Sequence, residues 1–207
     1  ARAVMSEVDE NAEQERHRAK MAKRKAAQDA EVAGKAIAQK GLLIVHTGTG
    51  KGKSTAAFGL VLRMLGYGKK CAVVQFIKGA WETGERKVLE GFGPLMEWHT
   101  LGEGFTWETQ DKARDMTAAA KAWETAKALM QDPALKLLVL DELNIALRYD
   151  YLPLDEVVET LKNRRPDLNI VVTGRNAKPA MIEAADLVTE MTLVKHHFAQ
   201  GVKAQEG

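Results

Sequence analysis

The chain has 207 residues, of which 45% are apolar, and its 30 basic and 28 acidic side chains leave a net charge of +2. This size favours one domain with a hydrophobic core plus an appended segment, and the near-neutral charge excludes strong attraction to nucleic acid or to an acidic membrane surface. No apolar run approaches the roughly 20 residues of a membrane-spanning helix, and nothing resembles a signal peptide, so we expect a cytoplasmic protein.

The first segment, 1–40, differs in composition from the rest of the chain. From about 13 to 40 it consists mostly of Ala, Lys, Arg, Glu and Gln, which all favour a helix. Its apolar residues are mostly Ala, so this helix would bury little surface and have little stability alone. Residue content alone favours a frayed, solvated tail over a helix that docks on a site or a partner subunit. We place the boundary of the main domain, 41–207, after it.

The main domain alternates short apolar, β-branched runs with helical stretches. The runs predict strands, several of them apolar enough for burial on both faces, at 41–47, 71–77, 95–100, 136–142, 168–174 and 187–193. The stretches between them predict helices at 53–66, 84–91, 110–131, 142–149, 154–164 and 178–185. This alternation predicts an α/β fold, a three-layer sandwich with a mainly parallel sheet. Cys71, the one cysteine, opens an apolar run and is expected to be a buried, inert thiol.

The stretch 46–55, "HTGTGKGKST", follows the first predicted strand and enters a predicted helix. This context predicts a P-loop, in which backbone N–H groups and a helix N-terminus bind phosphates. Lys53 would reach a phosphate, and the Ser54 hydroxyl would ligate Mg²⁺. The usual pattern has glycine where this chain has Thr47, and neighbouring Gly48 would serve the turn. The expected nucleotide-binding residues are Gly48, Thr49, Gly50, Lys51, Gly52, Lys53, Ser54 and Thr55.

A pair of carboxylates supports the same interpretation. Asp141 and Glu142 follow the apolar run "LLVL", where the carboxyl end of a buried strand faces the ligand crevice of an α/β sheet. Either residue is a candidate partner of Mg²⁺, and either also suits the cap of the following helix. Together with the P-loop, this pair predicts a RecA-like P-loop fold.

Two large aromatic residues lie in a glycine-flanked stretch, "GEGFTWET". Phe105 and Trp107 would either pack that stretch onto the core or form a flat apolar platform for a large planar ligand. The residues themselves leave both readings open.

The chain resembles the bacterial P-loop ATP:corrinoid adenosyltransferases. The resemblance rests on "GTGKGKST", "VVQFIKG", "GFTWETQ", "LVLDELN", "VVTGR" and "VKHHFAQGVKAQEG", which occur in the family's order from about 15 to 207. Departures are small, such as Thr49 where Asn is common and Ser54 where Thr is common. The stretch "GFTWET" beside the P-loop is more specific than the P-loop itself.

The resemblance implies that Co(I) of a reduced corrinoid attacks the ribose C5′ of ATP and that triphosphate leaves. Lys53 and a Ser54-bound Mg²⁺ or Mn²⁺ ion would then stabilise the leaving group, and Arg63 would add a phosphate contact. Phe105 and Trp107 would displace the axial ligand of Co(II), which makes the metal easier to reduce by a reduced flavoprotein or flavin. The family also implies a homodimer and reverses the preference for an idle tail, since the N-terminal helix would cover the corrinoid.

Two other functions fit the P-loop. A RecA-like ATPase or small-molecule kinase would release ADP, with Asp141 or Glu142 orienting the nucleophile. A nucleotide-dependent switch would leave ATP intact in the presence of reduced corrinoid. His99, His196 and His197 are not expected to be metal ligands, because two adjacent histidines without a third ligand are a weak pattern.

Overall fold

The computed structural model describes residues 7–37, 39–77, 83–101 and 111–205. The chain divides into two compact units, Ala1–Gln39 and Lys40–Gly207. In the first unit, α1 covers Glu7–Ala33, so it begins and ends earlier than the predicted 13–40. It ends where the Gly34 N–H donates to the Ala30 carbonyl, because glycine is favoured just past a helix. All described side chains from 10 to 37 are exposed, which agrees with the low apolar content of this helix.

The second unit is built on a six-stranded parallel sheet in its described part. The strands are β1 (Leu43–Thr47), β2 (Lys70–Gln75), β3 (Met96–Thr100), β4 (Leu135–Asp141), β5 (Asn169–Thr173) and β6 (Leu187–Glu190). Their spatial order is β3-β2-β4-β5-β1-β6. Each predicted strand is present, with small shifts at the ends. For example, β1 begins at Leu43 because the Gly41 and Leu42 N–H groups donate to the Pro166 carbonyl and the Asn169 side chain.

The helices of this unit alternate with the strands. They are α2 (Lys53–Gly66), α3 (Gly84–Glu90), α4 (Lys112–Met130), α5 (Leu143–Arg148), α6 (Leu154–Lys162) and α7 (Pro179–Ala184), with short 3₁₀ turns at Gly93–Leu95 and His197–Gln200. The bounds of α2 match the predicted 53–66, and the other helices differ from the prediction only near their ends. Within the described ranges, no helix combines the length and the hydropathy needed to cross a membrane.

Two buried clusters show that helices cover both faces of the sheet. Ile44 and Val73 pack with Phe58 of α2 on one face. Val45 belongs to the other cluster, together with Trp123 of α4. Neighbouring residues of a strand point to opposite faces, which is why Ile44 and Val45 fall in different clusters. The three layers confirm the predicted α/β sandwich, with the P-loop between β1 and α2.

Polar residues end the five neighbouring strands from β3 to β1 at a single edge of the sheet. These are Thr47 in β1, Gln75 in β2, Thr100 in β3, Asp141 in β4 and Thr173 in β5. The parallel register places Gln75 directly between Thr100 and Asp141. Ligands of open α/β sheets bind outside the carboxyl ends of the strands, so the fold positions the site at this edge.

Cys71 lies in β2 and is completely buried. Burial raises the pKa of its thiol to about 12, because a thiolate is poorly solvated in the core. A thiol of this kind is protonated at neutral pH, in agreement with the expected inert cysteine.

Candidate active site

The P-loop depends on glycines, because a side chain at these positions would disrupt the conformation of the loop. Gly48 and Gly52 have φ angles of 96° and 101°, in the left-handed region that favours glycine. A Cβ on Gly48 or on Gly50 would collide with the Met191 carbonyl oxygen. The Gly50 N–H also donates to that oxygen across 2.6 Å. The segment that follows β6 therefore packs directly against the loop.

Thr47, which replaces the usual first glycine, has a structural role of its own. It is the buried last residue of β1, and its hydroxyl accepts a hydrogen bond from the Ala177 N–H at 3.1 Å. Its carbonyl accepts another from the Met191 N–H at 2.9 Å. The strand continues through Thr47 and the left-handed turn begins at Gly48, as the sequence suggested.

Lys53 is the first residue of α2, and only 8% of its surface is exposed. Its ammonium donates to the Gly50 carbonyl across 2.5 Å, so the charge lies within the P-loop. Burial, followed by the neighbouring Arg175 cation, holds the pKa of Lys53 below its usual value. Beneath the loop, His46 Nδ1 donates to the Lys53 carbonyl at 3.2 Å. A phosphate oxygen could replace the Gly50 carbonyl as the partner of this ammonium.

Asp141 connects the P-loop to two neighbouring strands. Its Oδ1 accepts hydrogen bonds from Ser54 Oγ at 2.7 Å and from Thr173 Oγ1 at 2.8 Å. Its Oδ2 accepts one from Gln75 Nε2 at 3.1 Å. Both oxygens are therefore occupied by donors from the protein. Asp141 is placed to orient the Ser54 hydroxyl, which would turn the lone pairs of Ser54 Oγ towards a metal ion.

Glu142 differs from Asp141 in the hydrogen bonding of its carboxylate. It adopts a left-handed conformation with φ of 60°, and within the described part of the chain its Oε2 has no hydrogen-bond partner. Burial, and then the adjacent Asp141 carboxylate, raises the pKa of Glu142 to about 7. A buried oxygen without a partner is costly unless a ligand completes it. Hydroxyl and carboxylate oxygens suit a hard cation, so Ser54 and Glu142 fit Mg²⁺, with Asp141 behind Ser54.

These groups open into a cavity of about 580 Å³, within the usual range for small-molecule sites. Four of its lining residues are cationic and one is acidic, which suits a polyanion such as triphosphate. The lining residues are Lys51, Gly52, Lys53, Ser54, Thr55, Ile77, Glu142, Ile145, Arg148, Tyr149 and Arg175.

Six of the predicted site residues line this cavity, whereas Arg63 does not. Arg63 lies exposed in the last turn of α2, about 15 Å along the helix from Lys53 at a rise of 1.5 Å per residue. The structure does not bring its side chain to the P-loop, and its phosphate contact stays a prediction. Phe105 and Trp107 lie outside the described residues.

The structure adds residues that the sequence analysis did not single out. Arg148 and Tyr149 come from the end of α5, and the Arg148 guanidinium lies 5.6 Å from the centre of the Tyr149 ring. Arg175 follows β5 and was visible only as the last letter of the motif "VVTGR". Gln75 was likewise visible only within "VVQFIKG". These motifs indicated the family, but nothing in them indicated that Arg175 lines the cavity or that Gln75 contacts Asp141.

Sequence comparison gives two family matches. The model described as ATP:corrinoid adenosyltransferase BtuR/CobO/CobP matches residues 39–207. A second, described as Cob(I)alamin adenosyltransferase N terminal, matches residues 5–32, which include most of α1.

Curated relatives agree with these matches. A corrinoid adenosyltransferase from Sinorhizobium sp. is 58% identical, over 93% of this chain and 90% of the relative. One from Pseudomonas aeruginosa is 53% identical, over 93% and 95%. One from Escherichia coli K12 is 46% identical, over 93% and 97%. The P-loop site, the family matches and these identities together confirm the resemblance and the transferase class that it implies: the chain belongs to the ATP:corrinoid adenosyltransferase family BtuR/CobO/CobP.

Proposed function

We propose that this chain transfers the 5′-deoxyadenosyl group of ATP to Co(I) of a corrinoid. The cobalt supplies an electron pair that forms the bond to C5′, the bond between C5′ and its oxygen breaks, and triphosphate leaves with the electron pair of the broken bond. The observation that carries this proposal is the cationic P-loop cavity in a chain of this family. Within the reaction, the P-loop serves the leaving group and is not used for transfer to a phosphorus atom.

The cavity offers several groups to the triphosphate. The Lys53 ammonium is already held inside the loop, and Lys51 and Arg175 line the same cavity. Fixed cations stabilise the charge that develops on the leaving group without having to reorganise during the reaction. Part of the P-loop backbone is unavailable, because the Gly50 N–H is bonded to Met191. We therefore assign most of the stabilisation to the side chains and to the start of α2.

Ser54 and Glu142 would hold Mg²⁺ or Mn²⁺ against the phosphates, and Asp141 would fix the Ser54 hydroxyl from behind. When bound, such an ion would neutralise part of the charge on the triphosphate. This assignment gives the two adjacent carboxylates different roles, because Asp141 has donors on both oxygens and Glu142 Oε2 has none among the described residues.

Phe105 and Trp107 are proposed to act on the corrinoid side. Apolar aromatic side chains cannot ligate cobalt, so filling the axial position with them would leave a four-coordinate Co(II) that is easier to reduce. The electron would come from a reduced flavoprotein or free reduced flavin. This step precedes adenosyl transfer and is independent of the phosphate contacts.

The first unit is proposed to be a cover over the corrinoid, within a cytoplasmic homodimer. Its described side chains are exposed, and its helix matches the family's N-terminal model. An exposed, weakly apolar helix gains stability when it packs on a ligand or partner, so it is suited to fold against its target on binding.

The products of one reaction test the proposed function. The protein is mixed with ATP, Mg²⁺ and chemically reduced Co(I) corrinoid, and the corrinoid spectrum and phosphate products are followed. We expect an alkyl-cobalt spectrum with one triphosphate released per corrinoid. ADP and phosphate would instead identify a RecA-like ATPase or kinase, and unchanged ATP would identify a nucleotide-dependent switch.

A further inference from the structure

Gln75 links the nucleotide site to the end of the neighbouring strand. Its Nε2 donates to Asp141 Oδ2 at 3.1 Å. Its Oε1 accepts from Thr100 Oγ1 at 2.8 Å and from Trp98 Nε1 at 3.2 Å. The side chain therefore joins the carboxylate that holds Ser54 to two residues near the end of β3.

The orientation of this amide follows from its partners. The indole N–H of Trp98 can only donate, so the oxygen of the Gln75 amide must face it. The amide nitrogen then faces Asp141, whose carboxylate can only accept when ionised. Neither group tolerates the flipped amide, and Gln75 therefore bridges a donor on β3 to an acceptor on β4.

The Gln75 bridge contacts the residues that precede the aromatic pair in the sequence. The Leu101 N–H donates to the Gln75 carbonyl at 3.3 Å. After Leu101 the chain runs on to Phe105 and Trp107, which lie outside the described residues. Gln75 thus contacts, on one side, the carboxylate behind Ser54 and, on the other, the last described residues before the aromatic pair.

We propose that Gln75 is a positioning residue that couples nucleotide binding at Ser54 and Asp141 to the end of β3. The proposal rests on the proposed function in placing Mg·ATP at the P-loop and the corrinoid near the aromatic pair. Hydrogen bonds in a chain polarise one another in a low-dielectric interior. Ligand binding at Ser54 therefore alters the strength of the hydrogen bond from Gln75 to Asp141. The hydrogen bonds that Gln75 Oε1 accepts from Trp98 and Thr100 change with it.

Trp98 provides a spectroscopic readout of this coupling. Its ring also packs on Phe58 of α2, with centroids 5.2 Å apart, so a fluorescence change alone would not identify the route. Variants of Gln75 separate the two routes. Gln75→Leu removes both halves of the bridge, whereas Gln75→Glu keeps an acceptor for Trp98 and loses the donor to Asp141.

The experiment measures tryptophan emission of the full chain during titration with Mg·ATP, beside calorimetric measurement of the same binding. Trp98→Phe identifies the contribution of Trp98. The matched control is Trp123→Phe, because Trp123 lies in the cluster on the other face of the sheet and donates to Glu156. We expect the emission change in the parent and in Trp123→Phe, and its loss in Trp98→Phe.

Both Gln75 variants should lose most of the Trp98 response while binding Mg·ATP within about tenfold of the parent affinity. A second readout is the ratio of adenosylation rates from Co(II) with reduced flavin and from supplied Co(I), which should fall in both variants. Melting temperatures verify that each variant is folded.

Several outcomes would overturn the coupling. A Trp98 response in Gln75→Leu equal to the parent's would show that the signal reaches Trp98 through Phe58. A response that is lost in Gln75→Leu but equal to the parent's in Gln75→Glu would show that the donor to Asp141 is not needed. Nucleotide binding without any Trp98 response in the parent would overturn this inference and leave the proposed function standing. No nucleotide binding by the parent would overturn both.

Discussion

In the proposed reaction, Lys53 is the side chain on which stabilisation of the leaving group depends most. Its ammonium is held inside the P-loop, 2.5 Å from the Gly50 carbonyl. Lys53→Ala removes one preorganised cation, which should cost about 2–4 kcal/mol of transition-state stabilisation. We expect kcat/KM with chemically supplied Co(I) to fall by about 30–900-fold.

Lys69→Ala is the matched control, because Lys69 is an exposed cation in the turn between α2 and β2. Its rate should equal that of the parent. An unchanged rate in Lys53→Ala would show that Lys53 does not contact the leaving group.

Substitutions of Asp141 and Glu142 should differ in how strongly they weaken the affinity for Mg²⁺. Asp141→Asn disturbs the hydrogen bonds from Ser54, Thr173 and Gln75 but removes no proposed metal ligand. Changes behind a metal ligand typically weaken metal affinity about 10–100-fold. Glu142→Gln removes the oxygen that we assign as a direct ligand, so the loss should be larger. Titration of the rate with Mg²⁺ at fixed ATP measures both. A larger loss in Asp141→Asn would reverse the assigned roles.

At the scale of elements, removal of the first unit tests the cover role of α1. A shortened chain that begins at Lys40 keeps the ion pair between Lys40 and Asp186. The described side chains of the removed segment are exposed, so we expect little change in melting temperature and in ATP binding. Corrinoid affinity should fall, as measured by the KM for corrinoid. Parallel loss of ATP binding and of the melting transition would instead mean that the segment is needed for folding.

Substitutions of Phe105 and Trp107 should slow the reduction of Co(II) more than the transfer of the adenosyl group. If these side chains displace the axial ligand, their role ends once cobalt is Co(I). Phe105→His or Trp107→Ala should therefore lower the rate from Co(II) with reduced flavin at least about tenfold more than the rate from supplied Co(I).

Loss of packing would give another pattern for these variants, with a lower melting temperature and equal losses from both starting states. The ratio of the two rates is read together with the Co(II) spectrum. A ratio equal to the parent's, with the four-coordinate Co(II) signal intact, would exclude the proposed role of the aromatic pair.

The elements were more predictable than the contacts between them. The start of α2 was visible because the P-loop pattern ends in Lys53 and Ser54, and local chemistry also placed the strands. The end of α1 before Gly34 also has a local signal, which is the glycine itself. The predicted helix nevertheless ran to residue 40, because the composition beyond Gly34 still favours a helix. Residue composition carries little information on where such a helix stops.

At the scale of the whole molecule, the site combines segments that are distant in sequence. The carbonyl of Met191 packs on Gly48 and Gly50, and Arg175 reaches the cavity from the end of β5. The proposed division of roles between Asp141 and Glu142 depends on donors from Ser54, Thr173 and Gln75. Sequence spacing predicted the presence of the carboxylates, but these long-range hydrogen bonds appear only when the sheet is assembled.

In the proposed reaction, ATP is attacked at the ribose C5′ and not at a phosphorus atom. ATP labelled with ¹⁸O between C5′ and the α-phosphorus tests it directly, in a reaction with Mg²⁺ and supplied Co(I) corrinoid. Attack at C5′ breaks the bond between that carbon and the labelled oxygen. Mass spectrometry should then find the label in triphosphate and none in the adenosyl corrinoid. Label retained in ADP or AMP would show attack at phosphorus and contradict the proposed reaction.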